Sequence, residues 1–365
     1  MNQELNNGLI NKVLNHYECS LSDSKISPLG NGLINHTYLV KSPNQTFVLQ
    51  KINNYVFKKP LSVIENADLI NNHLIEQVAV NKYPLNTIGQ LKTVDAESYA
   101  LVDGEYWRAI QFIPNCYTVE NVDNITQAKQ AATAFAQFSC SLSTFDAKRL
   151  HEIIPDFHNL SFRISQLKTA KAEDQKGRLN SCKELVNYCL SQSSFIEEVI
   201  NISQKLPLQV THNDTKINNL LFDSRTNEPT AVIDLDTCMP GYLMNDFGDM
   251  VRTCCSNLPE DGENIGAMEI RFDIFEALAQ GYLETFADVM SEDEKHSLVI
   301  GAQLFPFMVG IRFLTDYLEG DQYFHTSHPT HNLLRAKNQI ALYTLLNRNR
   351  ATLEELVFQN ELVNS

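Results

Sequence analysis

The sequence predicts an α+β protein of two lobes, a small β-rich lobe over residues 1–113 and a larger, mostly helical lobe over residues 114–365. First, a chain of 365 residues exceeds what one compact core usually holds. Second, short runs of alternating apolar and β-branched residues precede residue 113, which is typical of strands. Third, apolar residues recur at helical spacing after Pro114.

The first lobe is predicted to hold a small sheet and one helix. Strands are expected at residues 36–40, 46–52, 98–102 and 105–113. Asp103-Gly104 joins the last two strands and is a strong signal for a type I′ hairpin turn. Leu61 to Leu74 carries apolar residues at helical spacing, so the helix is expected there.

The second lobe is predicted to be built from helices. Ile125–Leu142 and Phe272–Phe286 each place apolar side chains along one stripe. Ser291 with Glu294 predicts a capping box that opens a long apolar helix through Leu318. Between these helices lies one short β segment, LQVTHND followed by NLLFD and TAVID, and it holds the densest cluster of polar functional groups in the chain.

The charge of the chain bounds its partners. The net charge is −15 and the pI is near 5.1, so the surface repels nucleic acid and anionic lipid, and neither is expected as a partner.

The longest apolar run, Leu298 to Ile311, is too short for a membrane span and contains Pro306, which favours a buried helix. The first residues lack the pattern of a signal peptide, and the eight cysteines form no CxxC pair. A reducing, cytoplasmic location is therefore expected.

Four polar residues of the short β segment suit phosphoryl transfer. That reaction needs positioning, metal ions and one group that accepts the hydroxyl proton. Asp214 follows a strand and can act as the base, and Asn219 can offer an amide oxygen to Mg²⁺. Asp234 closes the next predicted strand and can bind the metal. Asp236 would share its face on a strand, and either binds a second metal or contacts water only.

These residues form a pattern that resembles kinases. His212-Asn213-Asp214 with Asn219 resembles the H-x-D-x-x-x-x-N catalytic loop, and Ile233-Asp234 resembles the metal-binding aspartate motif. The chain is most similar to the aminoglycoside phosphotransferase and choline kinase superfamily, and within it to the N-acetylhexosamine 1-kinases. The segments that carry the resemblance span about residues 28 to 340: GNGLINHTYLV, HNDTKINNLLFD, VIDLDTCMPG, DFGDMVR, and GIRFLTDYLEGDQYF followed by HNLLRAK.

The resemblance implies a bilobal protein-kinase-like fold and an ATP- and Mg²⁺-dependent transfer to the hydroxyl of a small molecule. It implies that Lys216 reaches the transferred phosphate. An N-acetylhexosamine is the expected acceptor, phosphorylated at its anomeric hydroxyl by a monomer or homodimer. Choline, homoserine, an aminoglycoside or a thioribose are alternative acceptors. A nucleotide-binding pseudokinase is a further alternative, slightly favoured by the missing lysine described next.

The nucleotide site is expected in the first lobe. Gly30 and Gly32 precede the first predicted strand, and their backbone N–H groups could approach phosphates, although a plain β-turn is the alternative. The superfamily usually has a basic residue on its third strand. Here the matching position holds Gln50, with Lys51 next to it, so either Gln50 binds phosphate or a bulge turns Lys51 inward.

Two further parts of the nucleotide site follow from the resemblance. The helical carboxylate that normally pairs with the strand lysine would be Asp68, with Glu65 as the alternative. Residues Gln111 to Ile113 resemble the hinge between kinase lobes, whose backbone pairs with adenine.

The acceptor site is expected in the second lobe. Arg252 either points towards the acceptor or pairs with Asp249. Arg312 and Asp316 are four residues apart, so on a helix they share one face. A planar guanidinium and a carboxylate are well suited to bind sugar hydroxyls and an acetamido oxygen. By resemblance, Arg312 and Asp316 are therefore expected to bind the acceptor.

Overall fold

The computed structural model describes residues 7–30, 34–286 and 289–358. The strands are β1 Lys25–Pro28, β2 His36–Lys41, β3 Thr46–Lys51, β4 Gln90–Leu91, β5 Ala100–Val102, β6 Glu105–Gln111, β7 Cys116–Tyr117, β8 Gln209–Thr211, β9 Leu220–Asp223, β10 Pro229–Val232 and β11 Met239–Gly241. The α-helices are α1 Asn7–Asn15, α2 Pro60–Ala79, α3 Ile125–Ser141, α4 Leu160–Glu173, α5 Lys183–Leu190, α6 Ser193–Ser203, α7 Leu243–Cys254, α8 Phe272–Phe286, α9 Glu292–Glu319, α10 His331–Arg348 and α11 Arg350–Phe358.

These elements form two compact units. The first unit comprises the described residues of Met1–Thr118, Ser141–Ile154 and Leu220–Pro240. The second comprises those of Val119–Cys140, Pro155–Asn219 and Gly241–Ser365. The β9–β10 segment, which follows the catalytic loop in sequence, thus belongs to the first unit. The assignment of nucleotide binding to residues 1–113 and of catalysis to residues 114–365 stays a prediction.

An antiparallel sheet dominates the first unit. Its strand order is β1-β2-β3-β6-β4, and β5 also pairs with β6. The turn between β5 and β6 has positive φ at both Asp103 (52°) and Gly104 (81°), as a type I′ hairpin requires, so the hairpin prediction is confirmed. The side chains of Phe47, Leu49 and Trp107 alternate into a core that α1 also lines.

The first unit also contains α2 and a second small sheet. Helix α2 begins with Pro60, whose fixed φ suits the first helical position, and it covers the predicted segment Leu61 to Leu74. Strands β7, β9 and β10 form a three-stranded antiparallel sheet, so the predicted NLLFD–TAVID hairpin is confirmed. Strands β1 and β4 and helix α1 were not among the predicted elements.

The second unit is built around the long helix α9. Ser291 and Glu294 form the predicted capping box, and Gly320 ends the helix with a φ of 101°. By length and composition alone α9 could cross a membrane, but 94% of its most apolar window is buried within the protein. The helix is therefore a core helix, as the sequence predicts. The predicted helices at Ile125–Leu142 and Phe272–Phe286 are α3 and α8.

Two glycines bring α7 and α9 into close backbone contact. A Cβ atom at Gly248 would lie 2.2 Å from the carbonyl oxygen of Gly301, and one at Gly301 would lie 2.1 Å from the carbonyl oxygen of Met244. No side chain fits there, so only glycine permits this approach. The contact fixes α7, which carries Asp246 and Arg252, against the helix that carries Arg312.

Candidate active site

The loop after β8 is anchored by one buried carboxylate of α7. Asp246 Oδ2 accepts the backbone N–H of His212 and Oδ1 accepts that of Asn213, both at 2.8 Å. The Thr215 hydroxyl donates to the Asp246 carbonyl at 2.6 Å. Burial raises the pKa of Asp246 to about 7, although the two N–H donors oppose that shift. The loop therefore has a defined position before any ligand binds.

Because the pKa of Asp246 is raised, the loss of folding stability caused by Asp246→Asn should depend on pH. The folded protein keeps a proton on this group between about pH 4 and pH 7 that the unfolded chain has lost, so its contribution to stability falls as the pH rises through that window. An amide also leaves one buried N–H unpaired, which costs about 1–3 kcal/mol. Urea unfolding should show a larger loss of stability at pH 5 than at pH 8. An equal loss at both pH values would contradict the raised pKa.

The first residues of the loop orient Asp214. His212 is fully buried, and its ring packs edge-on against Phe135 and Phe138, with centroids 5.5 and 5.8 Å away. Asn213 adopts a φ of 63°, a left-handed conformation that asparagine tolerates better than most residues. His212 thus braces the loop, and the chain turns sharply just before Asp214.

Asp214 has two partners on its own loop. Its Oδ1 lies 2.8 Å from Lys216 Nζ, and its Oδ2 accepts Asn219 Nδ2 at 3.1 Å. Burial on its own would raise the pKa of Asp214, but the Lys216 charge outweighs it and the pKa is lowered. The carboxylate in turn raises the pKa of Lys216. Asp214 is therefore an ionised carboxylate at neutral pH, with 30% of its side chain exposed.

Asn219 is oriented by its own hydrogen bonds. Its Nδ2 donates to the Asp214 carbonyl at 2.9 Å as well as to the carboxylate. Because an amide has its donor and acceptor on opposite sides, Oδ1 points away from Asp214. That oxygen is the atom a hard cation would bind.

The structure corrects the predicted placement of Asp234 and Asp236. Strand β10 ends at Val232, and Asp234 has left-handed backbone angles of φ 61° and ψ 58°. Asp236 lies in the 3₁₀ turn that follows, so the alternation of a strand does not apply to the pair. Its carboxylate is 2% exposed, forms an ion pair with Arg108 and accepts Asn35 Nδ2 at 2.6 Å.

The sequence left Gln50 and an inward-turned Lys51 as alternatives, and the structure places a buried arginine of β6, Arg108, beside Gln50. Gln50 is the direct cross-strand neighbour of Arg108, and its Oε1 accepts Arg108 Nε at 3.0 Å and Nη2 at 2.8 Å. The ladder of β3 with β2 and β6 keeps an unbroken register, so no bulge turns Lys51 inward. Lys51 Nζ pairs with Glu105 at 3.3 Å. Arg108 was missed, although an arginine between Trp107 and Ala109 in an apolar strand is a signal that could have found it.

The predicted helical carboxylates have other partners. Asp68 bonds to Ser98, Lys92 and Gln90, so it does not pair with Gln50 or Lys51. Glu65 lies 2.7 Å from His151. The lysine–carboxylate pair expected from the resemblance is therefore absent from these positions, which all lie in the described part of the chain.

The structure describes some, but not all, of the other residues that are predicted to bind the nucleotide. Gly30 has a φ of 70°, a conformation in which glycine is favoured, and a Cβ there would meet open space. Gly32 lies outside the described residues. The Gln111 N–H donates to the Gly89 carbonyl at 2.9 Å, so this donor is already used within the sheet, and Ile113 follows where the chain has left β6.

Arg252 takes the second of its two predicted roles. Its Nε donates to Asp249 at 2.8 Å and its Nη1 to Glu260 at 2.7 Å, and its side chain is 6% exposed. Both bonds are charge-assisted and buried on the Arg252 side. Arg252 therefore forms an internal network of the second unit.

The Asp316 carboxylate binds partners other than Arg312, the residue with which its spacing predicts that it shares a helix face. The Asp316 carboxylate accepts three backbone N–H groups at 2.8–3.0 Å and also Asn332 Nδ2 at 2.8 Å. The three N–H donors are Gln322, Tyr323 and Phe324. With its lone pairs used in this way, Asp316 shapes the loop after α9. Its assignment as an acceptor ligand is not supported by these contacts.

Arg312 lies among aromatic rings. Its guanidinium carbon is 5.1 Å from the ring centre of Phe157, 5.6 Å from that of Tyr323 and 5.3 Å from that of Phe324. Burial lowers its pKa. Among the described residues Arg312 forms no ion pair within 4.0 Å, and its Nη2 donates a long hydrogen bond of 3.5 Å to the Tyr323 hydroxyl. The guanidinium thus retains donors for a ligand.

Two of the predicted metal ligands carry hard oxygen donors of the kind that Mg²⁺ prefers. Across residues 7–30, 34–286 and 289–358, no three His, Cys, Asp or Glu side chains cluster as a protein-only metal site. Mg²⁺ is commonly held by one or two protein oxygens together with substrate phosphates. The amide oxygen of Asn219 and the carboxylate of Asp234 are hard oxygen donors, each described within its own unit.

Comparison with known proteins identifies the family. A sequence profile described as the phosphotransferase enzyme family (APH) matches residues 25–286. An aminoglycoside phosphotransferase from Alicyclobacillus acidocaldarius is similar in structure, with a TM-score of 0.61, 14% identity and 96% of each chain covered. A microcompartment-associated aminopropanol kinase has a TM-score of 0.58 at 14% identity, covering 95% of this chain and 98% of its own. Aminoglycoside 2′-phosphotransferase-IIIa, solved as a GDP complex, has a TM-score of 0.53 at 14% identity, covering 95% of this chain and 99% of its own.

These likenesses confirm the predicted fold class. This chain has an antiparallel sheet towards its amino-terminal end and helices towards its carboxyl-terminal end, and it matches the fold of a relative over 96% of both chains. The family match spans well over half of the sequence and includes the anchored loop with Asp214 and Asn219, and also Asp234. With its kinase-like fold and a family match over residues 25–286, the chain belongs to the phosphotransferase enzyme family.

Proposed function

We propose that this protein transfers the γ-phosphoryl group of ATP to a hydroxyl of a small metabolite, with Mg²⁺ as cofactor. The observation that carries the proposal is Asp214, an ionised carboxylate on an anchored loop. Asp214 would accept the proton of the attacking hydroxyl, and Lys216 would offset charge on the transferred phosphoryl group. Asn219 and Asp234 would supply oxygens to Mg²⁺, which lowers the charge repulsion at the phosphates.

The donor nucleotide is proposed from family and fold. The similar aminoglycoside 2′-phosphotransferase-IIIa binds GDP, which supports a nucleoside triphosphate as donor. The resemblance in the glycine-rich and catalytic segments favours ATP. Gly30, Gln50 and the hinge from Gln111 to Ile113 are the proposed contacts in the first unit.

We infer further that the acceptor is an N-acetylhexosamine, phosphorylated at its anomeric hydroxyl. Arg312 supports this, since a half-buried guanidinium with unused donors can bind a sugar hydroxyl or an acetamido oxygen. The exposed ring of Tyr323 beside it offers an apolar face of the kind on which a sugar ring can lie. The matching segment GIRFLTDYLEGD lies outside the loops common to these kinases and so bears on the acceptor.

The charge around Arg312 disfavours a cationic acceptor. Burial and the charge of the neighbouring Arg312 together lower the pKa of Arg163 to about 10. The Arg163 guanidinium donates to the Phe157 carbonyl at 3.0 Å, and Arg312 lies over the ring of the same residue. Two guanidinium groups therefore approach Phe157 and repel one another. A neutral, carbonyl-bearing sugar suits this environment better than choline or an aminoglycoside.

Acceptor identity can be tested by ATP turnover with Mg²⁺ against N-acetylglucosamine, N-acetylgalactosamine, glucose, choline and homoserine. Phosphorus NMR of the product should show an anomeric phosphate with one of the two amino sugars. Glucose should be a poorer acceptor, because groups that bind the acetamido oxygen would lose their partner. Robust turnover of choline or homoserine, with no anomeric phosphate from either amino sugar, would refute the sugar assignment and leave the kinase proposal standing.

Arg312→Ala is expected to lower kcat/KM for the preferred amino sugar by roughly 10- to 100-fold, since a hydrogen bond to a charged group contributes about 1.5–3 kcal/mol. The ratio of kcat/KM for the amino sugar to kcat/KM for glucose should fall at the same time. Arg149→Ala is the matched control, because Arg149 also lies over an aromatic ring, that of Phe145 at 5.0 Å. Equal losses for glucose and the amino sugar would contradict a role in reading the acetamido group.

A reducing, cytoplasmic location is part of the proposal. All eight cysteines are free thiols, and six of them are buried. Burial raises the pKa of Cys189 to about 12 and that of Cys254 to about 11, so these thiols are poor nucleophiles at neutral pH. Such thiols are usual in a reducing compartment.

A further inference from the structure

Arg108 is a buried cation between a strand and the turn after Asp234. It lies on β6 with its side chain 3% exposed, and its guanidinium reaches both Gln50 and Asp236. Gln50 Nε2 donates in turn to the Thr37 hydroxyl at 3.1 Å, so its Oε1 stays directed at Arg108. Every residue of this network belongs to the first unit.

A second contact holds the same carboxylate. Asn35 Nδ2 donates to Asp236 Oδ2 at 2.6 Å, and Asn35 Oδ1 accepts the backbone N–H of Asn53 at 3.0 Å. Asp236 Oδ1 accepts Arg108 Nη2. Both oxygens of Asp236 therefore bind the sheet and the chain next to it.

We propose that Arg108 is the positioning residue for the turn after Asp234, in place of the lysine that relatives would carry at the position of Gln50. Through Asp236 it fixes the 3₁₀ turn that begins at Asp234, and so sets where the Asp234 carboxylate points. Asp236 serves this contact and is not a metal ligand. The inference rests on the proposed use of Mg²⁺ and nucleotide by this chain.

The chemistry of the guanidinium explains why an arginine stands here. The Arg108 guanidinium donates to Gln50 through Nε and Nη2, and Nη2 also donates to Asp236. A lysine ammonium is a compact point charge without this planar fork of donors. Asp234 holds a left-handed backbone, a conformation that persists only where its surroundings enforce it. A buried ion pair two residues further on provides that constraint.

The first test measures ATP binding by calorimetry, with Mg²⁺ and with a chelator. The readout is the affinity ratio, defined as the dissociation constant measured with the chelator divided by the one measured with Mg²⁺. This ratio reports how much Mg²⁺ strengthens ATP binding. Arg108→Gln should lower this ratio by roughly 10- to 100-fold, the usual effect of losing a residue that orients a metal ligand. Arg350→Gln is the matched control, since Arg350 is a partly buried arginine with an ion pair to Glu198 at 2.6 Å in the second unit. It should leave the ratio unchanged.

A double variant separates positioning from stability. Arg108→Gln alone leaves the buried Asp236 carboxylate without a positive partner, which destabilises the fold. Adding Asp236→Asn removes that charge and should restore the melting temperature while the ratio stays low. Recovery of both properties in the double variant would show that the pair is only structural and would overturn the proposal.

A charge relocation tests the position of the cation. Gln50→Lys combined with Arg108→Gln moves the positive charge to the paired position on β3, on the same face of the sheet. In this double variant the affinity ratio should return most of the way from its value in Arg108→Gln to the wild-type value. A normal ratio in Arg108→Gln together with a lowered ratio in Lys51→Met would overturn the proposal, because Lys51 would then be the cation that matters.

The outcome is separable from that of the proposed function. The readout is nucleotide binding, so it does not depend on which acceptor is used. Wild-type protein that shows no ATP binding under either condition would refute the proposed function itself. Wild-type protein that binds Mg²⁺ and ATP, with Arg108→Gln binding them equally well, would refute the role of Arg108 alone.

Discussion

Asp214→Asn is expected to lower kcat by about 10²- to 10⁴-fold, the usual contribution of a general base. The amide cannot accept a proton, while its shape keeps the loop in place. Because the backbone of the loop is held by Asp246, the melting temperature and the affinity for ATP should change little. Steady-state turnover, thermal unfolding and calorimetric ATP binding together check this expectation.

Asp223→Asn is the matched control for that substitution. Asp223 is also ion-paired, with Arg225 at 3.0 Å, and its side chain is 22% exposed against 30% for Asp214. It should keep wild-type turnover. Near wild-type turnover of Asp214→Asn with every acceptor would remove Asp214 from the mechanism.

The lowered pKa of Asp214 also predicts how kcat depends on pH. A base held ionised by Lys216 stays unprotonated below its ordinary pKa, so Asp214 should give no acidic limb in kcat between pH 5 and pH 8. Lys216→Met should raise the pKa of Asp214 and move the acidic limb upwards. A pH profile of the variant that coincides with that of the wild type would show that Lys216 does not set this pKa.

Asp234→Asn is expected to cause the second large loss, with kcat lowered at least ~100-fold and a higher Mg²⁺ concentration needed for half-maximal rate. A metal ion supplies several kcal/mol of charge stabilisation in such transfers, and each 1.36 kcal/mol is tenfold in rate. Asparagine tolerates the left-handed backbone of this position, so the substitution tests the charge rather than the conformation. Asn219→Ala should shift the Mg²⁺ dependence in the same direction.

The control for Asp234→Asn is Asp103→Asn. Asp103 has a similar backbone, with a φ of 52°, and its carboxylate pairs with Lys12 at 3.0 Å in the β5–β6 turn. Its Mg²⁺ titration should match that of the wild type. If instead Asp234→Asn gives an unchanged Mg²⁺ curve, the assignment of Asp234 as a metal ligand is wrong.

Local elements of this fold could be predicted because neighbouring residues define them. The I′ turn at Asp103-Gly104 needs two residues that accept positive φ, and the start of α9 needs the reciprocal bonds of Ser291 and Glu294. Helix α8 has the bounds that its apolar stripe predicts. In each case the information lies within a few positions of the chain.

The sequence by itself determined the fold class, the family and the loop that carries Asp214, since all three depend on motifs and periodicity along the chain. The side-chain partners were decided by tertiary structure. Arg108 and Asp236 are 128 residues apart in sequence, and Asp316 meets Asn332 from the next helix. Spacing on α9 predicted only that Asp316 and Arg312 share one helix face, and it did not predict the three backbone N–H groups after α9 that bind the Asp316 carboxylate. A buried carboxylate bonds to whichever donors folding brings within reach, and sequence spacing does not encode that choice.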